Sequence, residues 1–224
     1  MSQVDEFLNR FNRVSNYKDG DTKLTVGNTI TIQDGTYNAI WVIAGFDAEH
    51  NQTAADGTVY DNGYGIALIP KTYVTTSVWN SWNGIDGAYK NSYMHNNALP
   101  AVVTKLKDVL GDHIINRNVL LSNSISNYSS SSYVWTTSYA TLMSIGQMTG
   151  TFAKHNNKYD DGEANYRLPL FNQTGYIVNA NLWVRNVWGI YNDYNAWFVN
   201  GDGSFGRYQV NTGRFGLRPV ICIR

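Results

Sequence analysis

The segment Gly201-x-Gly203-x-x-Gly206 has the glycine spacing of a dinucleotide-binding fingerprint. In that fingerprint the glycines end a strand and open a helix, and the N-terminus of that helix holds the pyrophosphate. Here the runs on both sides of the glycines are strand-like, and no helical pattern follows. The spacing therefore predicts a hairpin turn and not a nucleotide site.

The side chains that could ligate a metal are dispersed along the chain. Four histidines lack a second ligand at a metal-binding spacing, and they are His50, His95, His113 and His155. The acidic run Asp160-Asp161-Gly162-Glu163 lacks the alternating ligands of a calcium loop, so we favour a solvated loop over a calcium site. We predict neither a metal nor a cofactor.

The sequence also lacks the motifs that support nucleophilic catalysis or phosphoryl transfer. Neither a Gly-x-Ser-x-Gly elbow nor a phosphate-binding loop is present. The single cysteine, Cys222, excludes an internal disulfide and a thiolate zinc site, and it lies in an apolar run between Ile221 and Ile223. We interpret Cys222 as a small core residue and expect no enzymatic activity.

Aromatic and amide side chains, by contrast, are abundant. The chain has 16 tyrosines and 7 tryptophans, and Trp188, Tyr191 and Tyr194 lie within a few residues of one another beside several amides. A purely structural loop needs only turn formers, whereas aromatic faces stack on sugars and peptides and amide edges supply directed hydrogen bonds. This pattern indicates a recognition surface. The alternative is that these rings belong to the core.

The bulk composition is that of a folded chain without a strongly charged face. Of the 224 residues, 43% are hydrophobic and 15% are charged, which is enough apolar material for a core. Lys plus Arg balances Asp plus Glu at 17 each, which argues against nucleic acid as a partner. The N-terminus lacks the features of a signal peptide, and no apolar run is long enough for a membrane span. We expect a chain made in the cytoplasm that does not insert into membranes.

Residues 1–22 are predicted to form a separate N-terminal unit. Helical spacing of apolar side chains predicts a short amphipathic helix, and these side chains are Val4, Phe7, Leu8 and Phe11. The polar stretch 16–22 predicts a linker. The apolar stripe of the helix packs either on the main body or on another subunit or assembly. Residues 23–224 are predicted to form one domain.

The remaining pattern predicts short strands and one clear helix. The helix lies between Asn97, which is its predicted N-cap, and Gly111, which is just past its predicted end. Strands are predicted at 24–32, 39–44, 65–70, 118–121, 182–184, 196–199, 205–210 and 216–223. Residues 122–132 are predicted to be a loop, and residues 142–148 a short helix or strand. These elements predict an α+β fold with short antiparallel strands.

Six phrases of the sequence occur in a distinctive order. They are WVIAGFD at 41–47, IALIP at 66–70, LMSIGQMTG at 142–150, LWVR at 182–185, AWFVNGDG at 196–203 and GLRPV at 216–220. This series resembles a bacterial and bacteriophage domain family related to C-type lectins and to the variable proteins of diversity-generating retroelements. The three C-terminal phrases are the most specific part. The resemblance extends from Leu24 to the end and leaves the N-terminal helix outside.

The resemblance implies a C-type-lectin-like fold with two main helices and a surface patch between Trp183 and Arg218. It assigns bracing roles to Trp183, Arg185, Trp197, Gly216, Arg218 and Pro219. It assigns ligand contact to Trp188, Tyr191, Asn192, Asp193, Tyr194, Asn200, Asp202, Arg207, Tyr208, Asn211 and Arg214. Formylglycine-generating oxidases share this broad fold, but their chemistry requires a cysteine pair, which this chain lacks.

Composition and resemblance together lead to one functional hypothesis. We expect a bacteriophage virion protein on the head or tail surface that binds a host-surface glycan or protein through the C-terminal patch. Its other partners would be virion proteins, and a homo-oligomer is compatible with such a role. The alternative is a capsid or tail decoration protein with a mainly structural role, docked by its N-terminal segment.

Overall fold

The computed structural model describes residues 7, 24–47, 51–53, 57–82, 84, 88–126, 129–150, 154–155, 158–159, 167–173, 180–188, 195–213 and 215–224. Within these ranges the strands are, in chain order, β1 (Thr29–Ile32), β2 (Ala39–Phe46), β3 (Asn51–Thr53), β4 (Val59–Asp61), β5 (Ile66–Pro70), β6 (Thr75–Ser77), β7 (Arg117–Ser126), β8 (Ser129–Ser138), β9 (Ala140–Leu142), β10 (Lys154–His155), β11 (Lys158–Tyr159), β12 (Leu182–Trp188), β13 (Asn195–Val199), β14 (Phe205–Gln209), β15 (Phe215–Leu217) and β16 (Pro219–Ile223).

The helical elements are fewer than the strands. They are a π-helical turn at Met94–Ala98, α1 (Leu99–Leu110), a 3₁₀ turn at Gly111–His113, α2 (Ile145–Thr149) and a 3₁₀ turn at Pro169–Asn172. The described part of the chain is therefore mixed and consists mostly of strands, with one main helical segment around α1. This agrees with the predicted α+β class.

Two five-stranded sheets form the framework. The first has the strand order β1-β2-β5-β16-β9, and every neighbouring pair in it is antiparallel. The second has the order β14-β13-β12-β15-β6, in which β12 and β15 are parallel and the other pairs are antiparallel. Three two-stranded ribbons, β3-β4, β7-β8 and β10-β11, complete the described strands.

The C-terminal segment belongs to both sheets. β15 lies in the second sheet between β12 and β6, and β16 lies in the first sheet between β5 and β9. A single residue, Arg218, separates β15 from β16. The chain therefore crosses from one sheet to the other in one step, and Arg218 is the residue at the crossing.

Both faces of the first sheet are buried, because alternate side chains of each strand enter two different clusters. Trp41, Ile43 and Leu68 belong to the helix-side cluster, which includes the apolar face of α1. Val42 and Cys222 belong to the far-side cluster, which includes residues of α2 and of the 169–172 turn. Burial on both faces explains the continuous apolar runs that the sequence shows at β2 and β5. The prediction that Cys222 is a core residue is confirmed, since it is 3% exposed.

The main helix begins differently from the prediction. α1 starts at Leu99 because a π-helical turn, Met94–Ala98, precedes it, and the residue at its N-cap position is Ala98, itself helical. Asn97 is therefore not the cap. The backbone N–H of His95 instead donates to Ser92 Oγ at 3.1 Å, which is a capping-type hydrogen bond. The predicted end is confirmed, because Gly111 follows Leu110 with φ +56°.

The predicted loop at 122–132 is wrong. Most of this segment lies in the ribbon formed by β7 and β8, whose register pairs Leu120 with Trp135 and Leu121 with Val134. The serine-rich composition predicts a loop, but Val119 and Leu121 are buried in the helix-side cluster and the pairing of their strand with β8 continues into the serines. Packing of this apolar half therefore overrides the local preference of the serines.

The segment predicted as a short helix or strand contains both. β9 ends at Leu142, and α2 begins after Ser144. Ser144 Oγ accepts from the backbone N–H of Gln147 at 3.0 Å, while Gln147 Oε1 accepts from the backbone N–H of Ser144 at 3.0 Å. This capping box explains why a helix starts here. α2 has only five residues, and the second main helix that the resemblance implies stays a prediction.

The predicted N-terminal unit, residues 1–22, lies outside the described residues except for Phe7. Phe7 is helical, 5% exposed, and part of the helix-side cluster. At this position the apolar stripe therefore packs on the main body, which was one of the two alternatives for the predicted helix.

Gly216→Ala tests the close packing of β15. A Cβ at Gly216 would lie 2.7 Å from Tyr73 Cγ and 2.9 Å from Leu182 Cδ2, so neighbouring groups would have to move. We expect a loss of roughly 1–3 kcal/mol in the free energy of unfolding, measured with urea. The matched control is Gly213→Ala, because a Cβ there meets nothing within 4 Å. Equal stabilities of the two variants would contradict this packing.

Candidate functional site

The crossing residue Arg218 is a buried cation that binds main-chain carbonyls. Its side chain is 0% exposed. Its Nε donates to the carbonyl of Pro70 at 2.9 Å, and one terminal nitrogen donates to the carbonyl of Lys71 at 3.2 Å. Burial lowers the pKa of Arg218 to about 10, so it remains protonated at neutral pH. Arg218 thus fastens the strand crossing to the end of β5.

Two tryptophans connect the second sheet to its surroundings through their indole N–H groups. Trp183 Nε1 donates to the carbonyl of Ser77 at 2.9 Å, and Trp79 Nε1 donates to the carbonyl of Val184 at 3.1 Å. Both rings are 0% exposed. A buried indole keeps its apolar contacts and satisfies its one donor in this arrangement, so it fixes β12 in place.

An aromatic cluster underlies the C-terminal hairpin. The ring of Phe215 lies 4.6 Å from that of Trp183 and 4.5 Å from that of Phe198, measured between centroids. Tyr208 lies at the edge of this cluster, 5.2 Å from Phe215, and remains 38% exposed. The cluster therefore supports an aromatic ring that is partly accessible to solvent.

Most residues predicted to brace the patch are buried. Trp183, Arg185, Gly216, Arg218 and Pro219 are all buried, and Trp197 is half-buried. Their burial agrees with a framework position, and their role in bracing a ligand-binding patch stays a prediction.

The glycine motif forms the turn between β13 and β14, as predicted. The N–H of Gly203, which has φ +86°, donates to the carbonyl of Asn200 at 2.9 Å. Asn200 Nδ2 donates to Ser204 Oγ at 2.9 Å, and Asp202 Oδ1 accepts from both the N–H and the hydroxyl of Ser204. The hydroxyl and N–H of Ser204 lower the pKa of Asp202. The side chains of Asn200 and Asp202, both predicted ligand contacts, thus hold the turn.

The other described members of the predicted contact set lie on or just after β14. Arg207, Tyr208 and Asn211 are exposed. In the register of the hairpin, Arg207 is opposite Trp197 and Tyr208 is opposite Ala196, so Arg207 and Tyr208 extend from opposite faces of the sheet. The structure therefore brings these residues together at one sheet edge rather than on one face.

The side chains of the remaining predicted contacts lie outside the described part of the structure. Trp188 ends β12, but its side chain lies outside the described part of the structure. The other five lie outside the described residues altogether, and they are Tyr191, Asn192, Asp193, Tyr194 and Arg214.

Two of the four histidines, His95 and His113, have described side chains, and their environments differ. His113 Nδ1 lies 3.0 Å from the main-chain oxygen of Arg224. His95 is 8% exposed, and its ring centroid lies 5.3 Å from that of Tyr89. Burial, together with the charges of Lys90 and Arg185, lowers the pKa of His95 to about 4. His95 is therefore neutral at pH 7.

The described ranges contain neither a cluster of metal-ligating side chains nor a membrane-spanning helix. No group of three or more His, Cys, Asp or Glu side chains there could hold a metal ion, and the run 160–163 lies outside those ranges. Within the same ranges, no helix is both long and apolar enough to cross a bilayer.

One aromatic pair, an exposed tyrosine and a half-buried tryptophan, was not anticipated from the sequence. Tyr60 on β4 is 41% exposed, and its ring centroid lies 5.3 Å from that of Trp135 on β8. The run of aromatic and β-branched residues at 133–137, YVWTT, is a strand signal that could have indicated this ribbon.

No protein-family model matches the chain, and neither the curated proteins nor the solved structures gave a match.

Arg218→Met tests the bracing of the strand crossing. Methionine keeps much of the apolar volume but leaves the carbonyls of Pro70 and Lys71 without these donors. We expect a loss of about 2 kcal/mol in the free energy of unfolding, measured with urea. The control is Arg207→Met at an exposed position, which should change stability by less than about 0.5 kcal/mol. A loss no larger than that of the control would show that Arg218 does not brace the crossing.

Acidification tests the environment of His95. Because its folded pKa, about 4, is below the ordinary value of 6.5, the unfolded chain binds a proton that the folded chain does not. The stability contribution of this site is therefore present above pH 6.5 and is lost as the pH falls toward 4. From about pH 7 to about pH 4.5, we expect the wild-type chain to lose about 2 kcal/mol more than His95→Gln does, in urea titrations. Equal losses would mean that His95 titrates normally.

Proposed function

We propose that this chain is a bacteriophage virion surface protein that binds a host-surface glycan or protein through the C-terminal part of a C-type-lectin-like domain. The motif series between Trp183 and Pro219 supports the family assignment. The recognition-type composition, with 16 tyrosines and 7 tryptophans, supports binding as the activity.

The observation that carries the proposal is the partly exposed ring of Tyr208 on the edge strand β14. Tyr208 is held against Phe198 and Phe215, yet 38% of it is exposed. An aromatic ring that the core already orders loses little entropy when a ligand stacks on it. Such a ring is suited to a sugar or a peptide side chain.

Neighbouring polar groups complement this ring. Arg207 precedes Tyr208 on the opposite face of β14, and Asn211 follows the strand; both are exposed. The turn at 200–204 is held by its own hydrogen bonds, so the edge strand begins from a fixed point. A ligand at this edge would meet a preorganised ring with charged and amide groups close in sequence.

Adsorption of the purified full chain to host cells or to a glycan array tests the proposal. We expect at least one of the single variants, Tyr208→Ser and Arg207→Ser, to weaken binding by about tenfold or more, as is usual for a central contact. Because the two side chains extend from opposite faces, the separate variants also identify the binding face. The measurement is the concentration of protein that gives half-maximal binding.

The matched control for this experiment is Trp82→Ser. Trp82 is 48% exposed and lies outside the C-terminal segment, so its removal should leave binding unchanged. The proposal fails if Trp82→Ser abolishes binding while Tyr208→Ser and Arg207→Ser leave it intact. Unfolding midpoints of all variants should be compared, because Tyr208 also contacts the core ring of Phe215.

A further inference from the structure

A cleft of about 460 Å³ lies beside the main helix, away from the C-terminal hairpin. One wall is the face of the helical segment that includes Leu99, Val103 and Lys107, and the other wall includes Tyr139 and the residues next to it. None of its lining residues belongs to the predicted ligand-contact set. The volume lies within the range of small-molecule sites, roughly 300–1,000 Å³.

The charge in this cleft is of one sign. Among the described residues that line it, Lys107 is the one positively charged side chain, because His95 is neutral, and none is acidic. The Lys107 ammonium lies 3.4 Å from the centroid of the Tyr139 ring, so a cation–π contact positions it. The nearby acid on the helix, Asp108, lies 3.5 Å from Lys105 instead. The cleft therefore presents a fixed positive charge to a ligand.

The rest of the lining has both polar and apolar character. Leu99, Pro100 and Val103 form an apolar strip on the helix side, and hydroxyl or amide groups come from residues such as Asn116 and Thr137. A ligand with an apolar edge and several hydroxyls would match this lining.

The buried histidine adds a neutral polar ring to the cleft. His95 is 8% exposed, lines the cleft, and has no hydrogen-bond partner for Nδ1 among the described residues. A buried polar atom without a partner is uncommon in proteins and calls for an explanation, such as a bound water or ligand. This is a second observation, independent of the charge, that points to an occupant.

We infer that this cleft is a binding site for a small hydroxylated carboxylate, whose carboxylate pairs with Lys107 and whose apolar edge packs on Leu99 and Val103. Both a cyclic sugar acid and a free hydroxy acid have this chemistry. The inference concerns a site separate from the C-terminal hairpin and stands independently of the proposed function.

Titration of the full chain with three probes tests the inference. Glucuronate is a cyclic sugar acid, gluconate is an open-chain hydroxy acid, and glucose is a neutral sugar of the same size. We expect saturable shifts of backbone amide resonances of α1 and of residues near Tyr139 with one or both acids at low ionic strength, and weaker binding as salt is added. Preference for glucuronate identifies a sugar-acid site, and preference for gluconate identifies a hydroxy-acid site.

Variants of two lysines on the same helix provide the decisive comparison. Lys107→Gln should weaken binding of the preferred acid by about tenfold or more, because it removes the charge-assisted contact. Lys107→Arg should retain most of the affinity. The matched control is Lys105→Gln, which removes an exposed lysine outside the cleft and should leave affinity within about twofold, as expected of a screened surface charge.

Three results would overturn the inference. They are the absence of saturable binding of either acid, equal binding of glucose and the acids, and equal effects of Lys107→Gln and Lys105→Gln. Urea unfolding of each variant shows whether a loss of binding reflects a loss of folding, and Lys107→Arg remains informative if Lys107→Gln is unstable.

Discussion

The fold depends on a buried guanidinium at the point where the chain passes between two sheets. Arg218 is fully buried, and its hydrogen bonds go to the carbonyls of Pro70 and Lys71 at the end of β5. An arginine in an apolar interior is costly unless its donors are satisfied, so this geometry constrains β5, β15 and β16 together. Because β15 and β16 belong to different sheets, the same contact also sets how the sheets lie relative to each other.

This constraint separates a rigid framework from the edge that it supports. Trp183, Phe198 and Phe215 pack on one side of the second sheet, and Gly216 leaves no room for a side chain beside Tyr73. The β13-β14 hairpin extends from this framework, and its turn is closed by side chains of its own residues. Many binding domains present polar and aromatic groups at one edge of a stable scaffold. The proposed recognition role rests on that arrangement.

Much of the framework was predictable from sequence, because burial leaves a direct signal. The apolar runs at β2 and β5, the helix ending at Gly111, the core position of Cys222 and the hairpin turn at 201–203 were all predicted correctly. The sequence could not show that β7 and β8 pair through a serine-rich segment, since that pairing depends on burial of Val119 and Leu121 by distant residues. It could not reveal the cleft at Lys107 and Tyr139 either, because 32 positions of chain separate these two residues. Local patterns carry information on elements, whereas sites arise from contacts between elements.

Native-state hydrogen exchange tests the central role of the strand crossing most directly. If β15 and β16 brace both sheets, their amides should exchange only through global unfolding, while those of the 200–204 turn should exchange through smaller local openings. The exchange free energies of β15 and β16 should then equal the free energy of unfolding measured with urea. Exchange of these two strands well before β5 and β12 would show that the sheets hold together without the crossing, and that would contradict the account.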